Sequence, residues 1–333
     1  MAYNNYISRS DASALIPEDA AREILKGVAA TNPLLQLARR LPDMPRAQRR
    51  MPVLSTFATA YFVDGDTGLK QTTEVNWSNK YIDAEEIAAI VPIPEAVLDD
   101  ADFDIWSEVR PELVTALNVA INDAVLFGTN IPATWTTNLG AAGLLAAITA
   151  AGQTVDYSTQ VAANEDIYDM LLGTAGVLSY IEADGFMATG HLAAPSMRGI
   201  LRGVRAKMVD SGTVYNVGNP IFTETMQGAN SYVLDGNPIY FPTDGVVTGA
   251  ASNAMMFSGQ WNQLVWAMRQ DVTWKVLDQA IIQDGSGNIL YNLPQQDMVA
   301  LRVVMRIGFA LPNPINRVNQ TESTRLAFAA LVP

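Results

Sequence analysis

The clearest hydrophobic pattern in this chain is a stripe of apolar residues that recurs at every fourth position in its first half. Because residues four apart lie on one face of an α-helix, the stripe predicts a long amphipathic helix. Asp102 or Asp104 can cap its start, and Gly128 can end it. Pro111 lies inside the pattern, where proline costs about 3 kcal/mol, so we expect a kink near Ser107 or a break that makes Pro111 the start of the longer helix. The stripe consists of Ile105, Val109, Leu113, Leu117, Ile121 and Val125.

Residues 53–82 follow a different period. Apolar and polar residues alternate there, β-branched and aromatic residues are frequent, and the turn sequence DGDTG occupies residues 64–68. This pattern predicts a long β-hairpin. A two-stranded hairpin alone is marginal in water and has unpaired edges. It must therefore join a sheet of its own chain or lie on another subunit, and the residues leave both alternatives open.

The N-terminal residues predict an arm that needs a surface to lie against. Residues 14–38 have a helical pattern, which Asn32-Pro33 interrupts to start a second short helix. This helical unit contains few large apolar side chains, and the stretch that follows, residues 41–52, is rich in proline and arginine.

From residue 130 onward the pattern changes to short elements. Residues 130–160 are rich in Thr, Ala and Gly and predict loops and short strands, and residues 242–253 predict an exposed loop. The other predicted elements are helices at 164–180 and 194–205, a tight hairpin at 232–241, and strands at 185–189, 254–258, 263–268, 271–282 and 297–310, the last two joined by residues 283–296.

Composition restricts the class of protein. The 333 residues include no cysteine, so disulfides and thiolate metal sites are excluded, and a reducing cytosol is a natural place of folding. The sequence contains no apolar run long enough to span a bilayer and no secretory signal pattern. The net charge of −13 argues against a protein whose main task is to bind phosphates.

Charge is unevenly distributed. Residues 1–50 carry eight Lys or Arg against five Asp or Glu, so the acidic excess lies in the rest of the chain. The basic cluster could be a solvated surface, or an arm that touches acidic neighbours or nucleic acid. We favour acidic neighbours, because the body of every copy is acidic. The cluster consists of Arg39, Arg40, Arg46, Arg49 and Arg50.

No group of residues indicates catalysis. His191 is the single histidine, so a histidine metal cluster is excluded, and a buried structural role with satisfied hydrogen bonds is favoured. Residues 64–66 and 284–288 resemble fragments of calcium loops, but hairpin turns explain both better. No phosphate-binding glycine loop is present. We therefore predict no enzyme activity, no catalytic residue, no metal site and no cofactor.

The order of these segments resembles the major capsid proteins of tailed bacteriophages over nearly the whole chain. Residues 15–42 resemble the N-terminal arm of that family, and residues 51–80 resemble its extended loop. The strand that ends in VPIP at residues 91–94, the acidic turn after it and the helix to Gly128 resemble its spine. Residues 234–239, 257–261 and 268–269 resemble its axial domain and the return into its peripheral sheet.

The resemblance implies an α+β capsid fold with defined domains. These would be an arm at 1–52, an extended β-hairpin loop at 53–82, a peripheral domain with the spine helix at 83–135 and 256–320, an axial domain at 136–255 and a C-terminal tail at 321–333. The axial domain would present loop 242–253 at five- and six-fold centres, and residues 283–296 would meet neighbours near three-fold positions. The hairpin would lie across an adjacent subunit.

The function implied is a structural shell protein that assembles in the host cytoplasm into pentamers and hexamers of a virion enclosing double-stranded DNA. An encapsulin-like compartment for protein cargo is the alternative. Expected partners are other copies, a separate scaffolding protein, a portal and a decoration protein, with non-specific proximity to packaged DNA and no membrane.

Some family members join Lys to Asn between subunits, and Lys70 with Asn288 or Asn292 are the candidates, although a solvated Lys70 is favoured. The predicted inter-subunit contacts are Arg39, Arg40, Arg49, Arg50, Phe57, Tyr61, Phe62, Lys70, Trp77, Tyr81, Asp244, Asn288 and Tyr291.

Overall fold

The computed structural model describes residues 32–63, 68–96, 105–162, 166–210, 213–220, 232–249 and 254–333. Helices and strands are mixed in it, which confirms the α+β class. Several predictions lie outside the described residues, namely the helix at 14–31, the turn at 64–67, the acidic residues 99–104 and the end of the loop at 250–253.

The strands and helices have the following bounds. The strands are β1 (Arg39–Arg40), β2 (Gln48–Thr56), β3 (Asn76–Pro94), β4 (Thr154–Asp156), β5 (Gly190–Ala193), β6 (Arg205–Asp210), β7 (Thr213–Pro220), β8 (Val233–Leu234), β9 (Asn237–Tyr240), β10 (Met256–Gly259), β11 (Val265–Leu277), β12 (Ile281–Gln283), β13 (Ile289–Asn292), β14 (Met298–Ala310) and β15 (Phe328–Val332). The helices are α1 (Pro33–Leu37), α2 (Ile105–Asn122), α3 (Ala133–Leu139), α4 (Leu144–Ala151), α5 (Tyr157–Ala162), α6 (Ile167–Leu172), α7 (Val177–Ala183) and α8 (Met197–Gly203).

The first sheet has the strand order β1-β11-β14-β3-β2, and only β1 and β11 run parallel. Its longest member, β3, pairs with two different strands along its length. Residues 76–83 of β3 pair with β2, and residues 83–94 pair with β14. The two ends of the predicted hairpin, residues 53–56 and 76–82, therefore belong to β2 and β3 of the chain's own sheet. The sequence had left open whether the hairpin joins a sheet of its own chain or lies on another subunit, and the strand pairing shows the first for these residues.

The second sheet has the order β4-β15-β10-β5-β9-β8. Residues 328–332, which the sequence assigned to a C-terminal tail, form β15 between β4 and β10. Phe328 has no exposed surface and packs edge-on against Trp261, with ring centroids 5.2 Å apart. The last residues of the chain thus contribute to the core of this sheet. The tail assignment missed this, because a five-residue apolar run carries little signal without its partner strands.

Helix α2 confirms the hydrophobic stripe. Leu113, Leu117, Ile121 and Val125 are all buried. The helix continues through Pro111, so the predicted break is wrong, while a kink there stays a prediction. Residues 123–127 form a π-helical turn that ends at Gly128, as predicted, with φ at +73°.

A side chain at Gly128 is excluded by the neighbouring loop. A Cβ atom built there would lie 2.2 Å from the carbonyl oxygen of Ala142. Glycine also adopts this positive φ without strain. The close approach of two backbones therefore requires glycine at the end of the spine helix.

The prediction of loops and short strands at 130–160 is largely wrong. Helices α3 and α4 lie there and end at Gly140 and Gly152, both with positive φ. Alanine is the best helix former, so the small residues that suggested a loop are compatible with a helix once Trp135 and Leu144 are buried. The single short strand is β4.

Other boundaries also changed. The helix predicted at 164–180 is two helices, α6 and α7, with Gly173 and Gly176 between them. The strand predicted at 185–189 lies at 190–193, and the following helix is shorter than predicted. The predicted strands at 263–268 and 271–282 are mostly one strand, β11, with two register shifts opposite β14. The predicted hairpin at 232–241 is confirmed as β8 and β9 around Asp235 and Gly236, both with positive φ.

Candidate assembly surfaces

The tip of the hairpin exposes apolar side chains that the described part of the chain leaves uncovered. Phe62 is fully exposed and Leu69 is 89% exposed, and Trp77, at the adjoining end of the β2–β3 ladder, is 68% exposed. The β2–β3 ladder ends at Thr56 and Asn76, so the tip extends past regular pairing. Single exposed apolar residues are normal, but several on one projection indicate a contact surface.

Local hydrogen bonds hold the two sides of the tip together. The backbone N–H of Thr59 donates to Thr73 Oγ1 at 2.9 Å, and the Tyr61 hydroxyl donates to the carbonyl oxygen of Gln71 at 2.8 Å. At the base, Lys80 forms an ion pair with Glu322. The projection therefore has defined geometry at its base, while most of its apolar surface faces solvent.

A second exposed apolar surface lies at the two-stranded ribbon of β12 and β13. Ile281, Ile289, Leu290 and Tyr291 are between 39% and 60% exposed. The turn of this ribbon is closed by Asp284, which accepts from the backbone N–H groups of Ser286 and Asn288 and from Asn288 Nδ2. These bonds lower the pKa of Asp284 and support the hairpin-turn interpretation over a calcium loop.

Segment 39–50, the predicted basic cluster, joins β1 to β2. Arg40 pairs with Asp43 and lies over the Trp266 ring, with its guanidinium carbon 5.3 Å from the ring centroid. Arg49 donates to the carbonyl oxygens of Pro42 and Asp43 at 2.6 and 2.8 Å. These two arginines therefore stabilise the conformation of the segment through contacts within the chain.

The remaining arginines of segment 39–50 face outward. Arg39, Arg46 and Arg50 are exposed. Of the ion pairs between described residues, none involves these three side chains. The segment therefore presents positive charge that the described part of its own chain does not neutralise.

An acidic groove of about 620 Å³ lies between α2 and the first sheet. Its floor includes Ile87, Trp135 and Ile307. Five carboxylate residues line it, and no Lys or Arg is among its described lining residues. These five residues are Glu85, Glu86, Glu112, Asp123 and Asp244.

Contacts within the chain orient some of these carboxylates. Glu85 accepts from the Thr134 hydroxyl at 2.7 Å, and Asp244 accepts from Asn122 Nδ2 at 2.5 Å. Glu86 pairs with Arg306 at 2.6 Å. Burial, and next the nearby charge of Asp244, raise the pKa of Asp123. The groove therefore holds negative charges that repel one another.

Several predicted contact residues make bonds within the chain. Phe57 lies under the Arg317 guanidinium at 4.6 Å, Asp244 joins the turn before Val246 to α2, and Asn288 closes its own turn. The described part of the predicted loop 242–253 is a loop but is only partly exposed, because Val246 and Val247 are buried. The predicted residues that remain outward are Arg39, Arg50, Tyr61, Phe62, Lys70, Trp77, Tyr81 and Tyr291.

His191 has the structural role that was favoured. It is fully buried in β5, with Nδ1 2.9 Å from Ser258 Oγ and Nε2 3.2 Å from the carbonyl oxygen of Leu234. Burial lowers its pKa to about 4. Within the described ranges no three acidic or histidine side chains are grouped as metal ligands, and no helix has the length and apolar content to cross a bilayer.

Comparison with known proteins identifies the family. The profile of the phage capsid family matches residues 12–316. A probable major capsid protein, gp17 of Mycobacterium phage D29, is 26% identical over 303 residues, which cover 89% of this chain and 86% of that protein.

Solved structures agree with this match. One from Microbacterium phage Oxtober96 is 29% identical, covers 91% of both chains and has a TM-score of 0.73. One from Mycobacterium phage Adephagia is 28% identical, covers 98% of both chains and has a TM-score of 0.71. The capsid of a native GTA particle shares the fold at 15% identity, with a TM-score of 0.54. The chain belongs to the phage capsid family, whose members are structural proteins of the virion shell and not enzymes.

Proposed function

We propose that this protein assembles with copies of itself into pentamers and hexamers that close into an icosahedral phage head around double-stranded DNA. The observation that carries the proposal is the hairpin tip, which projects from the first sheet with Phe62 and Leu69 almost fully exposed. The family match over residues 12–316 supports the same function. It does not favour the encapsulin-like alternative, which we do not propose.

A projecting hairpin supports ring formation through its geometry. We propose that the tip contacts a different surface of the next copy, which makes the contact head-to-tail and not self-complementary. Head-to-tail contacts close into rings when the rotation between copies permits it. Each contact can be modest in area, because ring and shell closure make the contacts multivalent.

Charge supports enclosure of DNA without tight binding. The chain carries a net charge of −13. Tight binding to DNA depends on Lys and Arg that replace counterions at phosphates, and an acidic wall provides few of them. We expect packaged DNA to lie near the inner wall and to remain mobile. A scaffolding protein, a portal and a decoration protein are further proposed partners.

The domain division of the sequence analysis enters this proposal with two changes. We propose that residues 256–259 and 328–332 belong with the axial domain, because β10 and β15 lie inside the second sheet. The arm, the extended loop and the remaining parts of the two domains keep their proposed bounds. No sequence feature demands the covalent link from Lys70 to Asn288 or Asn292, and a solvated Lys70 stays the favoured expectation. Asn288 and Asn292 each donate to side chains of their own chain.

The test is assembly of the purified full-length protein, followed by electron microscopy. Wild-type protein should form closed shells with five- and six-fold capsomers. Phe62→Asp and Leu69→Asp together should prevent assembly while the circular dichroism spectrum stays native, because both side chains lie outside the core. Thr72→Asp, an exposed change on the same projection, is the control for added charge and should still assemble. Wild-type protein that stays monomeric at every concentration, both alone and together with the proposed scaffolding protein, would refute the proposal.

A further inference from the structure

Two surfaces of opposite charge lie on different parts of this chain. Segment 39–50 contains five arginines and one aspartate. The groove beside α2 contains five carboxylate residues and no described cationic lining residue. In each surface, some charges have partners within the chain and others do not.

Hydrogen bonds and a buried side chain fix the backbone that carries the unpaired arginines of segment 39–50. Arg49 fixes the bend by two bonds to backbone carbonyls, and the Met44 N–H donates to the Met268 carbonyl at 2.7 Å. Met44 is also buried, so the loop is attached to the first sheet. Arg46 projects from this attached loop and Arg50 from the first residues of β2, and both are exposed. Fixed cationic groups lose less conformational entropy on docking than mobile ones.

The groove carries the opposite charge to segment 39–50. Glu112 is exposed on α2, Asp123 and Asp244 lie near its end, and apolar side chains form its floor. Carboxylates gathered around an apolar floor raise the local negative potential, because a low-dielectric wall focuses the field. A cationic segment placed there would relieve the repulsion between Asp123 and Asp244.

We infer that the groove lined by Glu85, Glu112, Asp123 and Asp244 receives segment 39–50 of a second copy, with Arg46 and Arg50 entering among its carboxylates. This inference rests on the proposed function and specifies a contact of the shell. The two surfaces differ, so the contact is head-to-tail and suits a closed ring. Arginine also suits this site, since its planar donor fork pairs with carboxylates in a bidentate arrangement.

The first test uses the absence of cysteine from the wild-type chain. Copies carrying Arg46→Cys, labelled with nitrogen-15, are assembled with unlabelled copies carrying Glu112→Cys. A short bifunctional maleimide is then added. Mass spectrometry should find the mixed link between positions 46 and 112 at least tenfold above the mixed link from shells in which Glu182→Cys replaces Glu112→Cys. Glu182 is an exposed carboxylate on α7 outside the groove, which makes it a matched control.

The second test is a charge exchange. Arg46→Glu and Glu112→Arg should each raise the concentration needed for assembly at least tenfold, because one weakened pair recurs in every contact of a ring. The double variant should recover most of this loss. Both positions are exposed, and native circular dichroism should confirm that each single variant is folded.

The outcomes separate the inference from the function on which it rests. Shells that form normally but give no link between positions 46 and 112 above the control would overturn the inference and leave the shell function intact. The same conclusion follows if the double exchange assembles no better than the poorer single variant. A different basic occupant, such as another protein or a polyamine, would produce those two results. Failure of the wild-type chain to form shells, both alone and together with the proposed scaffolding protein, would refute both proposals.

Discussion

Asp184 is the centre of a buried hydrogen-bond network that attaches the C-terminal segment to the second sheet. Its Oδ2 accepts from the Leu326 N–H at 2.8 Å and also from Gln153 Nε2. Its Oδ1 accepts from Asn319 Nδ2 at 2.7 Å, and its backbone carbonyl accepts from Asn316 Nδ2 at 2.6 Å. Asp184 is only 7% exposed, so water does not replace these bonds.

Replacing Asp184 with asparagine tests the network with almost no change of volume. All three side-chain bonds run from donors to carboxylate oxygens, so an amide must turn its NH₂ group toward another donor. Bonds to a charged group contribute about 1.5–3 kcal/mol each, and an unsatisfied buried group costs about 1–3 kcal/mol. We expect Asp184→Asn to lower the free energy of unfolding by about 3–5 kcal/mol, which corresponds to breaking a buried charged network.

The assay is hydrogen exchange on the full-length protein, read out by mass spectrometry. Amides of residues 313–332 should exchange faster in Asp184→Asn, since this network holds the segment that leads into β15. Glu182→Gln, an exposed change of the same chemical type two residues earlier, should leave exchange unchanged. Equal protection of residues 313–332 in Asp184→Asn and wild type would refute the assigned role.

Three other predictions concern closely packed positions. Gly128→Ala should lower the free energy of unfolding by more than about 1 kcal/mol in chemical denaturation, because the new methyl group meets the Ala142 carbonyl and φ is positive; Gly285→Ala, in an open turn, is the control. Leu117→Ala should cost about 2–5 kcal/mol in the same assay, whereas a loss below about 1 kcal/mol would contradict its burial. His191, with a folded pKa of about 4 against 6.5 unfolded, should make stability fall as the pH decreases from about 6.5 to 4. The loss should reach about 3 kcal/mol, and His191→Gln should remove that share of the pH dependence.

The sequence determined the elements that depend on local periodicity. The stripe on α2 identified the spine helix, because apolar residues spaced four apart lie on one helical face, and that face is buried against the core. The turn at Asp235-Gly236 and the cap at Gly128 followed from the need for positive φ. Helix α1 starts at Pro33, as the Asn-Pro pair indicated, and the side chain of Asn32 caps it. The resemblance to phage capsid proteins relied on the order of such elements, and the family match confirmed it.

Only the tertiary structure decided the elements that depend on distant partners. Phe328 to Leu331 form a fully buried strand because β4 and β10 lie on either side of them, and a short apolar run cannot show this. The continuity of β3 through residue 83, where one partner strand replaces another, depends on the position of β14. Likewise, only folding brings Glu85, Glu112 and Asp244 into one groove, from positions up to 159 residues apart. Strand pairing and the clustering of charges depend on residues that are far apart in the sequence. The local sequence pattern does not show which distant residues will become neighbours.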